Sequence, residues 1–264
     1  MQRRIRDVPE RISSKNNARL RALRVALAGR DAGAIAIEGP HLVHEAVRSG
    51  LRLETLFIRE DRTDFFSDLP EDVASVTVLV APDAFKSAAA TEHAQGVAAL
   101  LPRPVSHYVC RTDDLLVIAD GLQDPGNLGT LIRSAEAFGA AAVALTANTV
   151  DPWNGKCLRA AAGATFRLPL LTWDGALLTG LRAVNARLYA GVARGGVPAH
   201  QAQLADTVAL IVGNEGAGVS PAMLGLADGL VTISTTGPTE SLNAAVAGAL
   251  LLYEASQQRM RATP

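Results

Sequence analysis

The chain has few of the residues that would tie it to a disulfide, a zinc ion or a membrane. Its 264 residues include two cysteines, Cys110 and Cys157, too far apart for a C-x-x-C motif. No Cys/His cluster of zinc type is present, so no metal site is expected. The two thiols fit a reduced, cytoplasmic setting, as ordinary buried residues. No run approaches 18 consecutive apolar residues, so no transmembrane helix is expected. The basic N-terminus lacks the apolar stretch of a secretory signal. The early G-x-G-x-x-G of a dinucleotide fold is missing, and with it its ribose-binding acid. So is a Walker A loop, because Gly155-Lys156 has no upstream glycine and is followed by Cys157. Aromatic residues are only 4%, although hydrophobic residues reach 48% and charged ones 19%. That balance supports a substantial core and excludes global disorder. Alanine supplies much of the apolar content, so close helix packing is expected.

The net charge of −1 is unevenly spread. Residues 1–30 hold nine Lys/Arg and two Asp/Glu, a local balance of +7. A basic end on a near-neutral chain fits a polyanion partner. A solvated terminus is the alternative.

The pattern predicts a basic amphipathic helix over 13–29, capped by Ser13 or Ser14 and stopped by Gly29. Strands at 34–37, 53–58 and 76–80, with helices at 41–48 and 82–89, then predict a small α/β domain. Residues 101–114 contain two prolines and little periodicity and read as a linker, with an edge strand as the alternative. From Leu115 onward, strands and helices alternate to the end, which predicts a mostly parallel, doubly covered sheet. The expected organisation is therefore 1–106, a linker at 107–114, and 115–264.

Three loops stand out. Asp124-Pro125-Gly126 turns tightly at a strand end, leaving Asn127 at a helix start and Arg133 in its second turn. A helix N-terminus with a nearby arginine suits phosphate, although Asn127 as a mere cap is the competing reading. Gly213-Asn214-Glu215-Gly216-Ala217-Gly218 follows the apolar run 209–212, and its glycines would let a ligand approach the backbone. Ser234 to Asn243 follows the run 230–233, with Ser241 placed as N-cap of an apolar helix reaching Gln258. A helix apolar nearly all round is buried, or half-buried at a subunit interface.

Together and in this order, the loops resemble the SpoU family of S-adenosylmethionine-dependent RNA 2′-O-ribose methyltransferases, within the SPOUT superfamily. Asp124, Pro125, Asn127, Leu128, Gly129, Arg133 and Ala135 carry the first motif. Gly213, Glu215, Gly216 and Gly218 carry the second, and Glu240, Ser241, Leu242 and Asn243 the third. The N-terminal part is similar to the family's substrate-binding domain of ribosomal protein L30e type, through Ile37-Glu38-Gly39-Pro40 and Glu45-Ala46. The resemblance implies a deep trefoil knot built on a Rossmann-like parallel sheet, with loops 213–218 and 233–243 holding the cofactor. It also implies a homodimer. Two departures are visible: Ile233-Ser234-Thr235 stands where the family commonly has Ile-Pro-Met, and Ala161 or Ala162 where it commonly has serine.

The same resemblance implies Asn127, Arg133, Glu215, Ser241 and Asn243 around the reacting hydroxyl. It implies Gly213, Asn214, Glu215, Gly216, Ile233, Ser241 and Leu242 around S-adenosylmethionine. Arg19, Arg21, Arg24 and Arg30 would grip RNA, with large ribosomal RNA as expected substrate and tRNA second. The family view makes the arginine a general base. Arginine stays protonated in proteins, so a grip on the neighbouring phosphate is the other role open to it. A non-catalytic RNA-binding or ribosome-assembly protein is the rival reading.

Overall fold

The computed structural model describes residues 9–66, 70–91 and 93–262. The chain divides into two compact units, 1–104 and 105–264.

The first unit is a mixed five-stranded sheet flanked by helices. Its strands are β1 (Glu10–Ile12), β2 (Ala34–Glu38), β3 (Thr55–Arg59), β4 (Thr77–Val80) and β5 (Val97–Pro102), in the order β1-β4-β3-β5-β2. β5 runs antiparallel to β2 and β3, and the other pairs are parallel. Its helices are α1 (Ala18–Leu27), α2 (Pro40–Arg48), α3 (Glu71–Ser75) and α4 (Pro82–Ala88). α1 is shorter than the sequence pattern predicts, because Asn17, not Ser13 or Ser14, accepts from the Arg19 amide and caps it. Leu20, Leu23 and Ala26 of α1 pack on Phe57, Val78 and Phe85. β5 is a strand the pattern missed. Its apolar run is bounded by Gly96, at a left-handed φ, and by Pro102, and Pro102 and Pro104 draw the eye to a linker instead.

The second unit is a seven-stranded parallel sheet. Its strands are β6 (Leu115–Asp120), β7 (Ala142–Leu145), β8 (Leu170–Thr172), β9 (Arg187–Gly191), β10 (Val197–Pro198), β11 (Val208–Gly213) and β12 (Gly229–Thr232), in the order β10-β12-β9-β11-β6-β7-β8. The helices are α5 (Pro125–Ala137), α6 (Gly155–Ala161), α7 (Ala164–Arg167), α8 (Gly175–Ala183), α9 (Pro221–Leu224) and α10 (Ala244–Ala262). The central strands are buried on both faces, which is why they read as unbroken apolar runs. Leu115 and Val117 of β6, with Leu210 and Val212 of β11, face α5, α6 and α10. Leu116 and Ile118, with Ala209 and Ile211, face α8 and α9.

The segment expected as a linker packs with this second unit. Tyr108 and Cys110 lie against the α8-side core, Tyr108 donates to the Asp114 carboxylate, and Ser106 Oγ accepts from the Leu170 amide at 3.1 Å. The end of the same segment is held by Arg259 of α10, which donates to the carbonyls of Asp113, Asp114 and Asp206. Burial pulls the Arg259 pKa down, against the opposing pull of Asp113, Asp114 and Asp206.

Close packing of helices on small residues, expected from the alanine content, is present between α5 and α6. A methyl added at Gly129 of α5 would lie 2.4 Å from the Cys157 carbonyl and 2.7 Å from Ala160 Cβ of α6. α6 and α7 are separated by a break at Ala162 and Gly163, both in left-handed conformations.

Candidate active site

The carboxyl ends of β6, β9, β11 and β12 meet at one edge of the sheet, where β11 is inserted between strands earlier in the chain. Such a switch point leaves a crevice that helices do not fill. A cavity of about 340 Å³ lies there, within the range of small-molecule sites. Its walls are Val212, Val231 and Leu251 on the apolar side, and the loops 213–218 and 233–242 on the other.

The glycine loop is held by its own asparagine. Asn214 Nδ2 donates to the Gly121 carbonyl at 2.8 Å, and its Oδ1 accepts from the amides of Gly216 and Ala217 at 2.9 and 3.0 Å. The backbones of Asn214 and Gly218 exchange both hydrogen bonds, closing the loop on itself. Asn214 lines the cavity, but its side chain is committed to shaping the turn.

Asp124, not Asn127, caps α5. Its carboxylate accepts from the amides of Gly126 and Asn127 at 2.6 and 3.0 Å, and Lys156 Nζ donates to it at 2.7 Å. The Asn127 side chain is thereby free for another task. Its Nδ2 donates to Glu215 Oε1 at 2.9 Å, and its Oδ1 accepts from Asn243 Nδ2 at 3.0 Å. Asn243 Oδ1 in turn accepts from the amides of Ala245 and Val246, so Asn243 is the cap of α10. The sequence assigned that cap to Ser241. The three side chains form a chain with one polarity. A carboxylate only accepts and backbone amides only donate, so both ends fix the orientation of both asparagines.

Burial pushes the Glu215 carboxyl up, but the bonds from Asn127 and from the amides of Gln123 and Asp124 outweigh it and hold the group below the ordinary glutamate range. A depressed carboxyl keeps its stabilising bonds as pH falls through the ordinary range and loses them only below its own lowered pKa. Ligand affinity of the cavity should therefore be the same at pH 7 and pH ~5, above the ordinary glutamate pKa of about 4.3. Calorimetric titration at both pH values checks this, and weaker binding at the lower pH than at the higher would contradict it.

Gly213, Asn214, Glu215, Gly216, Ile233, Ser241 and Leu242 all line the cavity. Asn127 and Asn243 stand behind it, joined to it through Glu215. Arg133 does not line the cavity. It is exposed on α5 and has no hydrogen bond or ion pair among the described residues. In the first unit, Arg19 is paired with Glu10 at 3.1 Å and Arg24 donates to the Lys15 carbonyl, whereas Arg21 and Arg30 are exposed. These four do not form one stripe, since Arg19 and Arg21 leave the helix on opposite flanks of Leu20. Arg3, Arg4 and Arg6 of the basic end lie outside the described residues.

The sequence missed the contribution of β9, whose end brings Gly191, Val192 and Ala193 to the cavity. Only the strand order reveals it, because β9 becomes a neighbour of β11 and β12 across intervening chain. The Lys156–Asp124 pair was also missed, since the two residues are 32 apart in sequence.

Comparison with known proteins agrees with this geometry. Residues 114–253 match the SpoU rRNA Methylase family, and residues 19–99 match the MRM3-like substrate binding domain. The chain is 38% identical to the 23S rRNA (guanosine(2553)-2′-O)-methyltransferase RlmP of Bacillus subtilis, over 82% of this chain and 86% of that protein. It is 30% identical to the 23S rRNA (uridine(2479)-2′-O)-methyltransferase of Streptomyces viridochromogenes, over 95% and 93%. The crystal structure of the SpoU methyltransferase AviRb from Streptomyces viridochromogenes, in complex with AdoMet, superimposes with a TM-score of 0.78 at 27% identity, covering 93% of this chain and all of that one. With both the sequence profile and the sheet in agreement, the chain belongs to the SpoU rRNA Methylase family.

Proposed function

We propose that this protein transfers a methyl group from S-adenosylmethionine to a ribose 2′-hydroxyl of 23S ribosomal RNA, in the cytoplasm. The observation that carries the reading is the Glu215–Asn127–Asn243 chain, which joins all three family motifs at the wall of one cavity. The cavity suits the cofactor chemically. Apolar walls from Val212, Val231 and Leu251 face polar groups from Glu215, Glu240 and Ser241, and the loops present backbone groups. A relative of the same fold has been solved with AdoMet bound.

When bound, the cofactor supplies a methyl already activated by its sulfonium, so the protein's task is alignment. Loops 213–218 and 233–242 hold it with backbone groups. Arg133, always charged, grips the phosphate beside the target ribose and orients the hydroxyl. The methyl would pass from sulfur to the ribose oxygen, leaving the demethylated thioether, and the hydroxyl proton would go to a phosphate oxygen or to water. Ser241, on the cavity wall, positions the ribose, and Asn243 supports the site through Asn127 and Glu215. The first unit, with Arg19, Arg21, Arg24 and Arg30, supplies salt-dependent affinity for a structured RNA.

Two further features belong to this reading. Loops 213–218 and 233–243 thread as a trefoil knot, a rare exception among folds. In support, α10 follows β12 in sequence yet packs on α5 and β11, across the ends of intervening strands. The protein works as a homodimer through α10, whose Val246, Leu250 and Tyr253 stay exposed on one face. Light scattering would give twice the chain mass, and a monomer at micromolar concentration would sink that part.

The test of the function is transfer from labelled S-adenosylmethionine to total ribosomal RNA and separately to tRNA, with the product mapped for 2′-O-methylation. Label at one ribose of 23S RNA is expected. Label in tRNA would overturn the substrate, and no label together with no cofactor binding would leave a non-catalytic RNA-binding protein.

A further inference from the structure

Aromatic side chains are scarce here, and most of the large ones are used up in cores. Phe57 and Phe85 are fully buried, and Trp173 packs on the α8 side of the sheet. Trp153 and Phe166 are different. Both are half-buried, and their rings lie near-parallel, with centroids 6.5 Å apart and planes 17° apart. Neither lines the cofactor cavity, and neither enters the chemistry above.

Their position ties them to the reacting centre. Trp153 sits in the loop before α6, where its amide donates to Asp151 Oδ1 and Asn154 caps the helix. Lys156, in the first turn of α6, reaches Asp124 at 2.7 Å and lies against Gly126. Asp124 caps α5, and Asn127 is the third residue of that helix. The Trp153 loop is thus pinned to the same helix start that holds Asn127 against Glu215. Two basic residues of α6 are exposed after it: Arg159, and Lys156, whose side chain is 57% exposed even while paired. The acids nearby are engaged, Asp151 with the Trp153 amide, Asp124 with Lys156 and Glu136 with Arg167.

A half-exposed pair of near-parallel rings, followed in sequence by the exposed Arg159 guanidinium, fits one kind of occupant. A base offers a π-face and its flanking phosphates offer negative charge. Bases inside an A-form helix are not reachable this way, so the base must be unpaired. We propose that Trp153, backed by Phe166, is the stacking platform for an unpaired base of the RNA substrate adjoining the methylated ribose, with Arg159 and Lys156 on the flanking phosphates. This rests on the RNA methyl-transfer reading. Trp153 is then a positioning residue that fixes which nucleotide reaches the cavity.

The experiment uses the full chain carrying Trp173→Phe, so that Trp153 is the only indole. A short single-stranded RNA is expected to quench its fluorescence, whereas a blunt duplex of the same length leaves it unchanged. Trp153→Ala is expected to raise KM for ribosomal RNA roughly tenfold to hundredfold, the range of a lost base–aromatic stack. Its affinity for S-adenosylmethionine should stay at the parental value, and Trp153→Phe should recover most of the loss because it keeps a π-face. An unchanged KM in Trp153→Ala overturns the proposal. So does a parallel loss of cofactor affinity, which would mark the rings as a buttress for α6 and α7. Equal quenching by single strand and duplex overturns it too. If the parent protein methylates no RNA, the enzyme reading fails, and selective quenching by single-stranded RNA would still uphold the platform.

Discussion

Replacing Arg133 by alanine is expected to lower the rate of methyl transfer by about 10²–10³, the usual effect of removing one preorganised electrostatic contact, while S-adenosylmethionine binds as before. The structure separates these two effects. Arg133 lies outside the cavity lining and has no partner among the described residues, so its removal breaks no bond that shapes the cofactor site. It shares the exposed side of α5 with Asn127 and Thr130, two turns from the helix start. A guanidinium left unpaired at such a place is available to an anion brought by the substrate. Single-turnover kinetics on ribosomal RNA, with calorimetry for the cofactor, would check both halves. Transfer at the parental rate would remove Arg133 from the mechanism. Arg133→Lys keeps the charge but loses the planar fork, so a large residual defect would favour a bidentate phosphate grip over a point-charge effect.

The Gly213→Ala substitution is expected to damage both fold and cofactor site. A methyl at this position would lie 2.2 Å from Gly218 C and from Val219 N, and 2.5 Å from the Gly218 carbonyl oxygen. These are backbone atoms, tied to Asn214 by two hydrogen bonds, and they cannot swing aside as a side chain would. The cost belongs at the upper end of overpacking, about 3 kcal/mol. For a unit of this size that lowers Tm by about 6–12 °C. Thermal unfolding with and without S-adenosylmethionine measures it. A variant that melts with the parent and binds the cofactor equally would show that the loop gives way at no cost.

That loop also shows how far the sequence could be read. Its glycines predicted a close approach of ligand to backbone. The structure gives two other reasons for two of them. Gly213 has no left-handed φ, and it lacks a side chain because its own chain returns across it. Gly218 has open space around the missing methyl, but its φ of +72° disfavours any other residue. Both constraints are set by a hairpin-like closure that spacing alone does not reveal. The parallel sheet was legible because central strands buried on both faces leave continuous apolar runs. β5 leaves the same kind of run, but the prolines at 102 and 104 that close it drew the reading to a linker. The catalytic candidates were legible as a family pattern, but their wiring was not. Asn127 looked like a cap until Asp124 was seen to take that place, and Ser241 looked like a cap until Asn243 did. Caps compete within one or two residues, and only geometry decides between them.

The contact made by Arg259 has a mechanical meaning. α10 begins beside the cavity, where Ala244, Ala247, Gly248 and Leu251 form part of the wall, and it is riveted at its far end to three carbonyls. Fifteen residues separate Ala244 from Arg259, about 22 Å along a helix. An apolar helix on an apolar floor is kept from sliding along its axis by its ends, here Asn243 bonded to Asn127 at the start and Gln258 and Arg259 at the finish. Arg259 therefore acts as an axial stop, setting the depth to which the wall of the cavity is inserted from a site on the opposite edge of the sheet. Hydrogen exchange along α10 would report it: loosening by Arg259→Ala should extend to the turns that face the cavity, and loosening confined to the last turn would show the anchor to be local.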